Sequence, residues 1–182
     1  YFFINEIFKN NFFPLDGSNT HSYFSSYVIG KYEVYQKVTS AENDLIQATA
    51  YLDPQDHNNH KVDGSWKRLV EYEDYTIDRF LGFIRLNSAP NAISISYTTT
   101  NYDPITQSFG TVHDSTDTDF KLTYDECKAN NPEEYAEACE GLIRLKLIKD
   151  INTSDPNSKT WPLMFKNVYS LGGSNIEEAD LE

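Results

Sequence analysis

The sequence is short of basic charge. It carries 15 Lys and Arg against 28 Asp and Glu, a formal net charge of -13 at pH 7. Such a chain repels DNA and RNA, and no stretch gathers its few bases into a face that would reverse this, so no nucleic acid partner is expected. Long apolar runs are also missing. No segment approaches the ~18 apolar residues of a membrane-spanning helix, and mean hydropathy is -0.58. Cysteine is limited to Cys127 and Cys139, and methionine to Met164. A zinc site would need more ligands beside the two thiols, and none lie close to them in sequence. A phosphate-cradling glycine loop is absent, as is a G-x-S-x-G nucleophile elbow. Carboxylate pairs such as Glu71 and Glu73, or Glu133 and Glu134, are what an acidic surface contains by chance. A glycosidase needs two acids facing each other across a cleft, which spacing alone does not establish. The residues therefore suggest a protein that is not an enzyme, with no catalytic site and no cofactor.

Two metal readings are weak. Asp53, Asp56, His57 and His60 form a polar group in 53–64 (DPQDHNNHKVDG), where Pro54 and the Asn pair favour a solvated loop over a ligating helix face. Asp114, Asp117 and Asp119 offer oxygens that suit calcium, but the glycine and closing glutamate of an EF-hand loop are missing. No metal ligand is assigned.

Aromatic residues, by contrast, are plentiful: 13 Tyr and 11 Phe. Tyrosine suits half-buried strand positions, where the ring packs and the hydroxyl stays wet. Aromatic platforms for sugar have the same composition. The clearest pattern lies in 72–97. Tyr75 and Ile77, then Ile84 and Leu86, then Ile93, Ile95 and Tyr97 alternate with polar or smaller neighbours. A period of two puts each set on one face of a strand. Gly82 and the Asn87–Asn91 stretch, which includes Pro90, mark the reversals. Strand, turn, strand, turn, strand is the expectation, with the sheet built around it.

Around this centre, 1–13 carries Phe3, Ile4, Ile7, Phe8 and Phe12 near helical spacing, which predicts a short amphipathic helix, although its Phe density also fits an extended segment. Strands are expected over 23–38, with a bend or bulge at Gly30, and over 45–52, with Ile46, Ala48, Ala50 and Leu52 on one face. Residues 98–118, rich in Thr, Ser and Asp, read as a long surface excursion. Pro132 to Cys139 opens with proline and acids and predicts a second short helix. Leu142 to Ile148 alternates, with Ile143, Leu145 and Leu147 opposed by Arg144 and Lys146, and Trp161 to Gly173 reads as a last strand. The fold class is mainly β: antiparallel hairpins in a sandwich-like sheet with one or two short helices. An N-terminal segment 1–64 and a second segment 65–180 are expected to form one compact domain. The missing initiator Met and the terminal Leu181–Glu182, which has the form of a cloning scar, suggest a piece excised from a longer protein.

Two stretches carry specific wording. The first, DYTIDRFLGFIRL, places Tyr75, Asp78, Gly82, Ile84 and Leu86. The second, WPLMFKNVYSLGG, places Trp161, Leu163, Met164, Lys166, Asn167, Val168, Tyr169, Ser170, Leu171 and Gly172. Their order and wording resemble the SprA family, giant cell-surface proteins of the Bacteroidetes that are tied to gliding motility and form the outer-membrane translocon of type IX secretion. The resemblance spans about 72–173. It is more specific in the second stretch than in the first, and nothing is transferred onto 98–140. It implies a non-catalytic part of a protein-conducting assembly, at the outer membrane or cell surface or on its periplasmic face. Its partners would be the rest of a large β-barrel, accessory subunits and secreted cargo.

Short apolar rows, interrupted by Arg79, Arg85 and Lys146, suit an extramembrane domain better than lipid-facing barrel strands. In that oxidising setting Cys127 and Cys139 would pair, a loop closure worth about 3 kcal/mol; two buried thiols in a reducing compartment are the alternative. The competing function is a secreted adhesin-like or carbohydrate-binding β-sandwich module, and an unrecognised hydrolase is a third. If Trp161 and Tyr169 are core, replacing either by Ala costs about 3 kcal/mol or more.

Overall fold

The computed structural model describes residues 1–12, 28–39, 45–54, 60–100, 106–109, 144–151 and 155–166. Among the described residues nine strands carry the fold: β1 (Phe2–Phe3), β2 (Val28–Val38), β3 (Leu45–Tyr51), β4 (Lys61–Arg68), β5 (Tyr75–Asp78), β6 (Phe83–Leu86), β7 (Ile93–Thr100), β8 (Thr106–Phe109) and β9 (Arg144–Lys149). One helix, α1 (Glu6–Phe12), and a 3-10 turn (Trp161–Leu163) complete the described elements. The mainly β, antiparallel expectation holds.

The strands form two sheets. In the larger, β2, β4, β3, β9 and β7 pair in that order, and β7 pairs back onto β2, so five strands close a barrel; β8 extends β7. All its pairings are antiparallel except β3 with β9, which brings Ala50 beside Leu145. The smaller sheet has the order β1-β6-β5. The 72–97 stretch is thus divided. Its hairpin belongs to the small sheet and its third strand, β7, to the barrel, so no single sheet is built around it.

A five-stranded barrel is narrow, and its lumen is filled by side chains. Tyr35, Ala48, Ala50, Trp66, Ala92, Leu145 and Leu147 make up this inner core. The alanines leave room for Trp66, whose Nε1–H donates to the Ala48 carbonyl at 3.0 Å. The outer face of β2, β7 and β9 is covered as well. Ile29, Val34, Ile93, Ile95, Tyr97 and Ile148 pack with Phe2, Phe3, Ile4, Phe8, Tyr75, Ile84 and Leu163 in a second core, between barrel and small sheet. Because Ile93, Ile95 and Tyr97 face this outer core, Ser94 and Ser96 point into the lumen, and both are buried. The alternation in β7 therefore separates two cores instead of core and water.

Local chemistry explains the joints. Ile29 pairs with Thr99 and Tyr32 with Tyr97, leaving one extra residue in β2. This is the bulge expected at Gly30. Arg79, in the β5–β6 turn, satisfies it: Nε donates to the Ile29 carbonyl at 2.8 Å and Nη2 to the Gly30 carbonyl at 2.9 Å. In the same turn Asp78 Oδ1 accepts from the Phe80 and Leu81 amides, the Asx geometry such turns favour. Gly82 has a φ of 67°. A Cβ there would lie 2.0 Å from Cγ of Phe8, so the helix packs against bare backbone.

Four further expectations change. The segment 1–13 is part strand and part helix: β1 pairs Phe2 with Ile84, and α1 starts only where the Asn5 side chain accepts from the Ile7 amide at 3.3 Å. Within 53–64, residues from Lys61 on are strand, because β4 pairs Lys61 with Tyr51 and Gly64 with Ala48. Within 98–118, β7 runs on to Thr100 and β8 returns along it. Trp161–Leu163 is a turn and not a strand. Pro162 has no N–H for a ladder, and the Leu163 and Met164 amides bond back to Thr160 and Trp161. The expected helix at 132–139, Cys127, Cys139, Asp56, His57, Asp114, Asp117 and Asp119 lie outside the described residues.

Candidate functional site

The two motif stretches, about 80 residues apart in sequence, meet on β1. Phe2 pairs with Ile84 on one side and bridges to Met164 on the other. The Phe165 amide donates to the Tyr1 carbonyl at 3.1 Å. Over this joint lies a cluster of rings. Phe165 stacks on Phe3 with centroids 4.1 Å apart and meets the edges of Phe12 at 5.7 Å and Phe83 at 5.3 Å.

Most described motif residues have a mechanical role here. Tyr75, Ile84 and Leu163 are core, and Leu86 and Met164 pack against it. Asp78 and Gly82 make the turn. Trp161 is only half-buried, with Lys166 Nζ 5.2 Å from its ring centroid. Its packing is therefore looser than a core role requires, and the fully buried tryptophan is Trp66. Asn167, Val168, Tyr169, Ser170, Leu171 and Gly172 lie outside the described residues.

Two buried charged groups escaped the sequence reading. Glu33 on β2 is 3% exposed. Its Oε1 lies 3.0 Å from Arg68 Nη2, and its Oε2 accepts from the Tyr35 hydroxyl at 2.9 Å. Burial and the adjacent Glu33 carboxylate push the Tyr35 phenol far above its ordinary range. Opposite Glu33 and Tyr35 on β7 stand Ser96 and Ser94, whose buried hydroxyls have no hydrogen-bond partner among the described residues.

The second is Lys146 on β9, read from the sequence as opposed to the apolar face but only 6% exposed. Its Nζ donates to the Leu52 carbonyl at 2.7 Å. Burial pushes its ammonium down to about 8, against the opposing pull of Asp53 and Glu6. Nearby, Asn5 Nδ2 donates to the Tyr97 hydroxyl at 3.3 Å, and burial raises that phenol strongly. Alternation offered no signal for either group, because it assumes one wet face.

Chemically, these arrangements bind charge in place. The Glu33 carboxylate is held by a guanidinium and a phenol, and the Lys146 amine by a carbonyl. His60, from the polar loop, turns to Asp150, with Nε2 2.7 Å from Oδ2. Among the described residues, no three His, Cys, Asp or Glu side chains gather into a metal-binding group. No helix among them is long and apolar enough to cross a membrane. No protein-family model, no curated protein and no solved structure matches the chain.

Proposed function

We propose that the chain is a non-catalytic extramembrane domain of a SprA-like outer-membrane protein, taking part in type IX secretion and gliding motility by holding parts of that assembly together. The observation that carries this reading is the meeting of the two motif stretches on β1. Ile84 from the first stretch and Met164 from the second meet on Phe2, and their neighbours Phe83 and Phe165 join one ring cluster, so the two stretches that carry the resemblance form one packed unit. The family assignment itself rests on that wording.

The outer face of β2, β7 and β9 supports an extramembrane position. Its apolar residues are already covered by the small sheet, α1 and the 3-10 turn, whereas a lipid-facing strand would keep such a row free for hydrocarbon. The partners would be the remainder of the parent β-barrel, its accessory subunits and passing cargo.

The test is an immunoblot of fractionated source cells with an antibody against this chain. A band many times larger than 20.9 kDa, in the outer-membrane fraction, is the expected result. A small secreted or soluble periplasmic band would overturn the reading.

A further inference from the structure

Single exposed apolar side chains are ordinary on a protein surface. Three here are of another kind, because they stand on one braced unit. Val70 is 52% exposed, Tyr72 79% and Phe80 67%. Tyr32 links the loop bearing the first two to the turn bearing the third: its hydroxyl donates to Glu71 Oε2 at 2.6 Å, and Arg79 lies 5.8 Å from its ring centroid.

Tyr72 also has a φ of 71°, the only positive value among the described non-glycine residues. The loop fixes it there. The Tyr72 amide donates to the Tyr75 carbonyl at 2.7 Å, and the Asp74 amide to the Val70 carbonyl at 2.9 Å. Val70 N–H donates to Asp74 Oδ2 at 2.8 Å, and Asn87 Nδ2 to the Glu73 carbonyl at 2.8 Å. A left-handed position suits glycine or asparagine. Here it carries an aromatic ring held out in water, and observed strain of this sort is a pointer to function.

We propose that Tyr72 and Phe80, with Val70, form a docking surface for a basic protein segment bearing arginine or lysine. Charge complementarity selects that occupant. The stretch EYEDYTID contributes Glu71, Glu73, Asp74 and Asp78 with no base. The guanidinium of the adjoining Arg79 is turned away onto the Ile29 and Gly30 carbonyls. The whole chain adds its net charge of -13. An acidic field steers a basic segment to the surface, exposed ring faces attract its cations, and a loop already fixed in place loses little freedom on binding. This inference stands whichever parent protein the domain belongs to.

The experiment measures fluorescence anisotropy of a labelled nona-arginine peptide with the 182-residue chain at physiological salt. Tyr72→Gly, Tyr72→Asn and Phe80→Ser are compared with the parent chain, and none of them alters net charge. The expected result is roughly tenfold weaker binding for each variant, with an unchanged or higher Tm for the two Tyr72 variants, whose new residues accept the left-handed backbone. Equal affinity across the set would mean that net charge alone holds the peptide and would overturn the proposal. So would a marked fall in Tm on both Tyr72 substitutions, which would make the ring a structural element. Absence of peptide binding would overturn it too, and Tyr72-dependent binding on a glycan array would then reassign the surface to sugar.

Discussion

Individual residues in this protein matter according to which core they enter. Trp66 fills the barrel lumen and is fully buried, so Trp66→Ala is expected to cost about 3–5 kcal/mol, read from urea unfolding. Trp161→Ala is expected to cost only about 1 kcal/mol, because that ring is half in solvent. A large loss would place Trp161 in the core after all. Gly82→Ala joins two penalties, a clash with the Phe8 ring and a left-handed backbone, and is expected to cost about 2–3 kcal/mol by the same measurement.

At the scale of the strand, the test case is the pair Glu33 and Arg68, which ties β2 to the end of β4. Removing Arg68 leaves a carboxylate in the lumen. The guanidinium is half-exposed, so Arg68→Ala is expected to cost about 2 kcal/mol, below the roughly 3–5 kcal/mol of a fully buried pair. A double variant, Glu33→Leu with Arg68→Met, is expected to recover most of that loss in thermal melts, since no charge then remains to be paired. Strands were also the most legible elements in the sequence. The period of two located β3, β5, β6, β7 and β9 from residues such as Ala48, Ile77, Ile84, Ile95 and Leu145, because local alternation is what a pleated backbone requires. It could not reveal that Ser94, Ser96 and Lys146 would be buried. That depends on a second covered face, created by distant pairings such as Ala50 with Leu145. Glu33 was hidden for the same reason, since nothing in its own neighbourhood announces a partner 35 residues on. Pro162 was the missed local signal, and its lack of an amide hydrogen argued for a turn from the start.

For the molecule as a whole, pH sets two opposing slopes. Lys146 has its folded-state pKa lowered to about 8 from 10.5. Between those values the unfolded chain holds a proton that the folded chain does not, so stability rises with pH across this window. Tyr35, Tyr75 and Tyr97 have theirs raised above 10.0, chiefly by burial. Above pH 10 the unfolded phenols ionise first, and stability falls. Denaturation midpoints are expected to climb from pH 8, pass through a maximum near pH 10 and then drop. Lys146→Met should flatten most of the rising limb, leaving the smaller share of Lys149, whose ammonium burial also lowers, and should leave the falling limb; an undiminished rise in that variant would assign it to another group.

The barrel's order of closure also bears on how the chain is made. β3 and β7 are synthesised with open edges, and both wait for β9, whose residues leave the ribosome last among the barrel strands. β1, the earliest of the described strands, waits likewise for Ile84 and then Met164. A nascent chain halted before residue 144 therefore carries two unsatisfied strand edges beside aromatic surface, the condition under which chains pair with one another. Quality control during translation, more than the stability of the finished barrel, is then the stage at which damage to β9 would first be felt.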